Sequence, residues 1–248
     1  MSPTTASSRI ADLIQALAAS HRSGLLLDAT AWTDAVRDET DAYAVHDGVA
    51  RALGWPATRW KSGGAGPQGP FSHSPVSPEP GAVLLGVEAE VALRLARDIS
   101  PEAAQAPLDA GVIDGMCIAV ECIASRWRQA LDAPALLRMA DFQSNAGLLL
   151  GPWQAWQPLD WARLPWRLTL ADEPELQRQG GHSLGDPSGV LAAWLRHATR
   201  HGETVHATPG AGRDDRAGAW GGMHRCTGRA TGTLAIDGVG AFSFSAGA

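Results

Sequence analysis

An α+β fold follows from three features of this 248-residue chain. Residues from Val87 onward alternate strictly, with Val87, Ala89, Val91, Leu93 and Leu95 on one side and Glu88, Glu90 and Arg94 on the other, which is the period of a half-buried strand. Two helical patterns precede that strand. The strands beyond it do not alternate regularly with helices, so a parallel βαβ architecture is not expected.

The elements follow in order. Residues 7–21 read as a helix, capped by Ser7 or Ser8, with Ile10, Leu13, Ile14 and Leu17 at helical spacing. A second helix is expected from about Trp32 to Leu53, its stripe formed by Ala42, Val45, Val49 and Leu53 and its end marked by Gly54-Trp55-Pro56. These helices form an N-terminal helical portion, residues 1–57, ahead of a catalytic β-rich domain, 58–248. Residues 62–81, rich in Gly, Pro and Ser, read as a long loop of the kind that serves as a lid or site wall. Strands are predicted at 82–96, 116–124, 147–151, 166–171 and 233–244, and helices at 101–110 and 187–201, the last opened by Pro187 and closed by Gly202.

Composition excludes several classes. A net charge of −6 and a pI near 5.7 give no electrostatic footprint for nucleic acid or an anionic membrane. Three cysteines, Cys117, Cys122 and Cys226, make no paired framework and no zinc-type spacing. Met1 to Thr5 lack the basic start and apolar run of a signal peptide, and no apolar stretch approaches the ~18 residues of a spanning helix. The expected compartment is the cytoplasm.

Glu88 and Glu90, two apart on a strand, project from one face about 7 Å apart. Glu121 interrupts the apolar strand 116–124, where an isolated ionised carboxylate is costly. Three carboxylates converging at a sheet need a neutralising cation, and oxygen-only ligation selects a hard ion, Mg²⁺ or Mn²⁺. The alternative is that Glu88 and Glu90 line a solvated sheet face. Nineteen of the 20 basic residues are Arg and Lys61 alone is Lys. Either base composition explains this, or Lys61 sits where a guanidinium cannot do the chemistry, because only an ammonium exchanges its proton readily.

Six ordered segments resemble the 2-hydroxypenta-2,4-dienoate hydratases and 4-oxalocrotonate decarboxylases of the fumarylacetoacetate hydrolase superfamily. They are Ala42-Tyr43-Ala44-Val45, Arg59-Trp60-Lys61-Ser62-Gly63, Val87-Glu88-Ala89-Glu90-Val91-Ala92, Val120-Glu121-Cys122 through Arg126, Ala140-Asp141 through Ser144 and Gly151, and Gly180-Gly181-His182 through Pro187. Gly238-Val239-Gly240 is similar to the family's closing turn.

The resemblance implies a mixed β-roll with an N-terminal helical portion, a Mg²⁺ or Mn²⁺ on Glu88, Glu90 and Glu121, a small 2-oxo acid as substrate, and a homo-oligomer. It assigns Lys61 to substrate binding or proton transfer, with a pKa expected to be lowered where a cation stands beside it, and Ser144 and Ser183 to substrate oxygens or water. The expected activity is a carbon–oxygen lyase, a hydratase acting on a 2-hydroxydienoate in the catabolism of aromatic-derived acids. A 4-oxalocrotonate-type decarboxylase, a C–C hydrolase and an inactive homologue are the alternatives. His46 stands where such hydratases carry Gln and reads as an exposed or partly packed helix residue. Three departures stand out: Phe142 follows Asp141 where Asn is usual, Ala124 replaces an Asp, and 204–232, rich in Gly, Arg and Ala, reads as a flexible loop in place of a strand.

Overall fold

The computed structural model describes residues 3–55, 58–64, 66, 68–77, 83–109, 111–171, 173–180, 182, 184–207, 214–216 and 220–247. Helix α1 (Pro3–Ser23) matches the first helical pattern. Helix α2 (Glu39–Leu53) starts later than expected. Asp38 takes an extended backbone and its carboxylate accepts from Asp41 N, which fixes the cap there, while Ala29–Trp32 form a separate 3-10 turn. Gly54, at φ 68°, closes α2 in the left-handed region as the sequence predicts. Leu13 and Leu17 of α1 bury against Val45 and Val49 of α2, and the short helix α3 (Ala135–Ala140) completes this helical core with Leu137.

The segment 62–81 is not simply a loop. Strand β1 (Trp60–Gly64) and strand β2 (Phe71–Pro75) pair antiparallel across it, with Lys61 opposite Ser74, and the side chains of Ser62 and His73 share a 2.8 Å hydrogen bond. Strands β3 (Leu84–Leu95), β4 (Ile113–Ile123), β5 (Asn145–Leu150) and β7 (Pro165–Leu170) lie where alternation predicts them, with the two-residue β6 (Gln154–Ala155) between the last two. Strand β8 (Leu176–Gln179), helix α4 (Leu191–Ala198, entered through a 3-10 turn at Pro187–Val190), β9 (Asp214–Arg216), β10 (Trp220–Ile236) and β11 (Gly240–Gly247) complete the chain. The main sheet runs β5-β4-β3-β10-β7-β8, with β11 on β10, β6 on β4 and β9 on β3, all antiparallel.

Two further expectations are corrected. Of the helix expected at 101–110, the described residues 101–109 form only a 3-10 turn at Ala103–Gln105, because Pro107 forces Ala106 into extended backbone and so prevents a helix. Residues 220–232 are strand, not loop. They form the first part of β10, which pairs with β3 before bending to pair with β7 and β11. Arg225, Thr227, Arg229 and Thr231 are exposed in alternation with Cys226, Gly228 and Ala230, so the period of two is present, but the inward residues are too small to give a strong apolar signal. The register slips at Gly222 and Gly228 (φ 75° and 80°), positions that only glycine adopts without strain. Opposite them, a Cβ at Gly86 would lie 2.6 Å from His224 O. Residues 208–213 and 217–219 lie outside the described set.

A second core fills the space between the β3–β4–β10 and β7–β11 faces, with Val87, Val91, Met116, Ile118, Trp166, Trp194 and Leu234 all buried. Among the described residues, no helix is long and apolar enough to cross a membrane, which does not bear on strands.

Candidate metal centre

Strand β3 aligns with β4 so that Glu88 faces Glu121 directly, and Glu90 follows two residues along on the same side. One carboxylate oxygen from each of the three lies within 4.8 Å of the others. Glu90 and Glu121 are buried and Glu88 is half-buried. The sheet register therefore brings together the three residues singled out by the sequence. Like charges placed opposite each other in a ladder are destabilising, and burial raises that cost. Three oxygen donors at this spacing are the donor set of a hard divalent cation, so the residues present fit such an ion.

Lys61, on β1, is buried against this trio, and its Nζ donates to Glu121 Oε1 at 2.6 Å. Burial acts to lower the Lys61 pKa, but Glu121, Glu88 and Glu90 together outweigh it and the pKa is raised. Without a cation the pocket carries three carboxylates against one ammonium, so Lys61 is held protonated.

Asn145, which sequence reasoning missed, donates from Nδ2 to Glu121 Oε1 at 2.8 Å, while its own Oδ1 accepts from Ser77 N and Gly147 N, both at 3.1 Å. Its amide is thereby fixed, and it fixes Glu121 in turn. Preceding it, Phe142, Gln143 and Ser144 lie consecutively at φ 51°, 56° and 63°. Each non-glycine residue in that region costs about 1–2 kcal/mol. An internal ion pair maintains the turn: Asp141 accepts from Arg126 N (3.0 Å) and Nε, and Arg126 also donates to the carbonyls of Asp141 and Asn145 at 3.0 Å. Phe142 turns away from the carboxylates and stacks on His46 in the helical core, ring centroids 5.7 Å apart. This explains how Phe fits beside Asp141, and it places His46 in full burial, where an exposed or partly packed position was expected.

A cleft of about 680 Å³ opens beside Glu88 and Lys61, within the usual size of small-ligand sites. Lys61, Glu88, Arg138, Gln143, Ser144 and Met223 line it. Gln143 Nε2 and Ser144 Oγ are both buried there with no hydrogen-bond partner among the described residues. Ser144 lies in the wall of the cleft beside Lys61 and Glu88. Ser183 lies outside the described residues, and His182 is buried away from the cleft lining, its Nδ1 accepting from Leu184 N at 3.3 Å. Arg138 carried no sequence signal, and Gln143 lay within the segment 140–144 without being singled out. A larger cavity of about 1090 Å³, beside α1 and residues 124–130, holds no carboxylate cluster among the described residues.

No family model matches the sequence, and no curated protein matches it. Among solved structures, the chain is similar to 4-oxalocrotonate decarboxylase from Pseudomonas putida G7 complexed with magnesium and adipate, with a TM-score of 0.73 at 16% identity over 95% of this chain and 96% of that one. The same enzyme complexed with calcium and acetate gives 0.71 at 17% identity over 95% and 96%. At these identities the likeness is one of fold. That fold is α+β, a mixed β-roll of the fumarylacetoacetate hydrolase type with an N-terminal helical portion.

Proposed function

We propose that the chain is a divalent-metal-dependent enzyme of the fumarylacetoacetate hydrolase superfamily that adds water to a 2-hydroxydienoate, a small 2-oxo acid in its enol form. The supporting observation is the convergence of Glu88, Glu90 and Glu121 within 4.8 Å of one another beside Lys61. These three glutamates would hold Mg²⁺ or Mn²⁺. Bound there, the cation would supply a Lewis acid for the charge that develops on the substrate's 2-oxygen.

The chain's own groups account for the remaining steps. Lys61, anchored on Glu121, would orient the substrate carboxylate or shuttle the proton, the 2-hydroxyl losing one as the far end of the diene gains one, so that the dienol becomes a 2-oxo-3-enoate with no net change in protons. Ser144 Oγ and Gln143 Nε2 line the same cleft with unused hydrogen-bonding capacity, and they orient the water that adds at the alkene end or a substrate oxygen. The strained turn at 142–144 fixes both groups before substrate arrives, so little ordering is left for the reaction itself. Three free cysteines, two of them buried, fit a reducing compartment such as the cytoplasm.

A second reading, decarboxylation of a 4-oxalocrotonate-type acid, is favoured by the fold likeness to that decarboxylase over nearly the whole of both chains. Both reactions need the same electron sink at the 2-oxygen. Purified protein assayed with 2-hydroxypenta-2,4-dienoate and with 4-oxalocrotonate, each with and without Mg²⁺, separates them. A hydrated product that requires metal supports the leading reading, CO₂ release supports the second, and silence with both at every metal tested supports an inactive homologue.

A further inference from the structure

The larger of the two cavities, about 1090 Å³, serves no step described above. It lies between the end of α1, the Gly54-Trp55 turn that closes α2, and residues 124–130, and it shares no lining residue with the metal-centre cleft. Arg22, Arg126, Arg128 and His21 line it, and no Asp or Glu does so among the described residues. In a chain of net charge −6, such a wall is a local field that attracts an anion. Much of the remaining lining is apolar. Leu26 and Val83 are exposed there, and Leu53, Trp55 and Leu85 are half-buried.

The polar groups of this wall have capacity to spare. Arg126 is only 6% exposed. Its Nε goes to Asp141 and its Nη2 to the carbonyls of Asp141 and Asn145, which leaves Nη1 without a bond among the described residues. The His21 side chain is 9% exposed, and its Nε2 is buried without a hydrogen-bond partner, 3.6 Å from Asp141 Oδ1. Arg22 spends Nη2 on Ala52 O at 2.5 Å, and the Arg128 side chain forms neither a hydrogen bond nor an ion pair among the described residues. Guanidinium groups beside an apolar wall are the combination that holds an organic acid, since the carboxylate satisfies the donors and the body covers the wall.

We propose that this cavity is a second binding site, for an organic monocarboxylate whose charged end meets Arg126, Arg128 and Arg22 and whose apolar body lies against Trp55 and the leucines. Its occupant would touch the Arg126–Asp141 pair and His21, whose ring packs edge-on against Phe142, and so would lie behind the turn that carries Gln143 and Ser144 into the metal-centre cleft. The site stands independently of the reaction proposed for that cleft.

Titration calorimetry on the full-length chain saturated with Mg²⁺, with benzoate, benzamide and inorganic phosphate as probes, tests it. One benzoate per chain is expected, held at least about tenfold tighter than benzamide, which keeps the ring without the charge, and than phosphate, which keeps the charge without the ring. Arg128→Glu and Leu26→Glu, both at exposed positions, are each expected to weaken benzoate by at least about tenfold, with circular dichroism showing both variants folded. Lys61→Met is expected to leave benzoate binding unchanged. The proposal is overturned by no binding of benzoate, by benzamide or phosphate binding as tightly, or by an affinity that survives either glutamate variant. Loss of benzoate binding in Lys61→Met also overturns it, because the ligand would then sit in the metal-centre cleft.

Discussion

The Lys61 ammonium and the Glu121 carboxylate meet at 2.6 Å although 60 residues separate them in the chain, so the hairpin carrying Lys61 is clasped onto the β3–β4 ladder by the very group that would bind the cation. Lys61→Met is therefore expected to lower kcat by at least about a hundredfold, the scale of a lost proton-transfer group, and to leave Mn²⁺ binding within a few-fold. Steady-state kinetics beside a metal titration check this. Unchanged turnover would remove Lys61 from the mechanism.

The Arg126–Asp141 pair is fully internal and holds the strained turn in place. Asp141→Asn leaves the Arg126 charge buried without its counter-ion and is expected to cost about 3–5 kcal/mol in urea unfolding. Replacing both residues with apolar ones of similar volume is expected to cost less than either single change. If the two single costs simply add in the double variant, the pair is not coupled.

Gln143 is held at φ 56°, ψ 37°. Gln143→Gly is expected to stabilise the fold by roughly 1 kcal/mol, through relief of the left-handed backbone. It is also expected to lower kcat/KM by about tenfold, because the unpartnered amide in the cleft is gone. Thermal unfolding and kinetics measured on one preparation decide the matter. A variant that loses stability, or one that gains it with full activity, contradicts the link between strain and function.

Stability is expected to fall on acidification. His73 is driven down from 6.5 to about 4, mainly by burial and then by Arg200 and Arg196, and His197 falls to about 2, again first by burial and then by Arg200. Both rings are neutral in the fold, so the unfolded chain takes up protons first. Their contribution is complete above pH 6.5 and is lost as pH falls towards the folded values. For His73 this amounts to on the order of 3 kcal/mol between pH 6.5 and 4. Urea midpoints from pH 8 to 4 should show this slope, and His73→Gln should flatten it. A slope unchanged by that substitution counts against His73 as its source.

Much of the architecture was legible because large inward residues mark β3 and β4, while Glu88 and Glu90 on the other face of β3 and Glu121 within the apolar β4 mark the candidate metal site. The first part of strand β10 escaped notice because its inward positions are Gly, Ala and Cys, whose period of two is visible only once the partner strands are in place. The turn at 142–144 was illegible for a different reason. Phe, Gln and Ser carry no preference for positive φ, and the conformation is imposed from outside by Arg126 and Asn145. Arg138 and Gln143 reach the cleft only through that turn and the short helix before it. Their nearness to Lys61 is a tertiary fact with no local pattern.

The central claim is that Glu88, Glu90 and Glu121 share one hard cation. Calorimetric titration of the purified chain with Mn²⁺ tests it most directly. One ion per chain is expected, with binding lost in Glu90→Gln and in Glu121→Gln while circular dichroism shows both variants folded. Binding that persists undiminished in those two variants, or a folded parent chain that takes up no Mn²⁺ or Mg²⁺, contradicts the account.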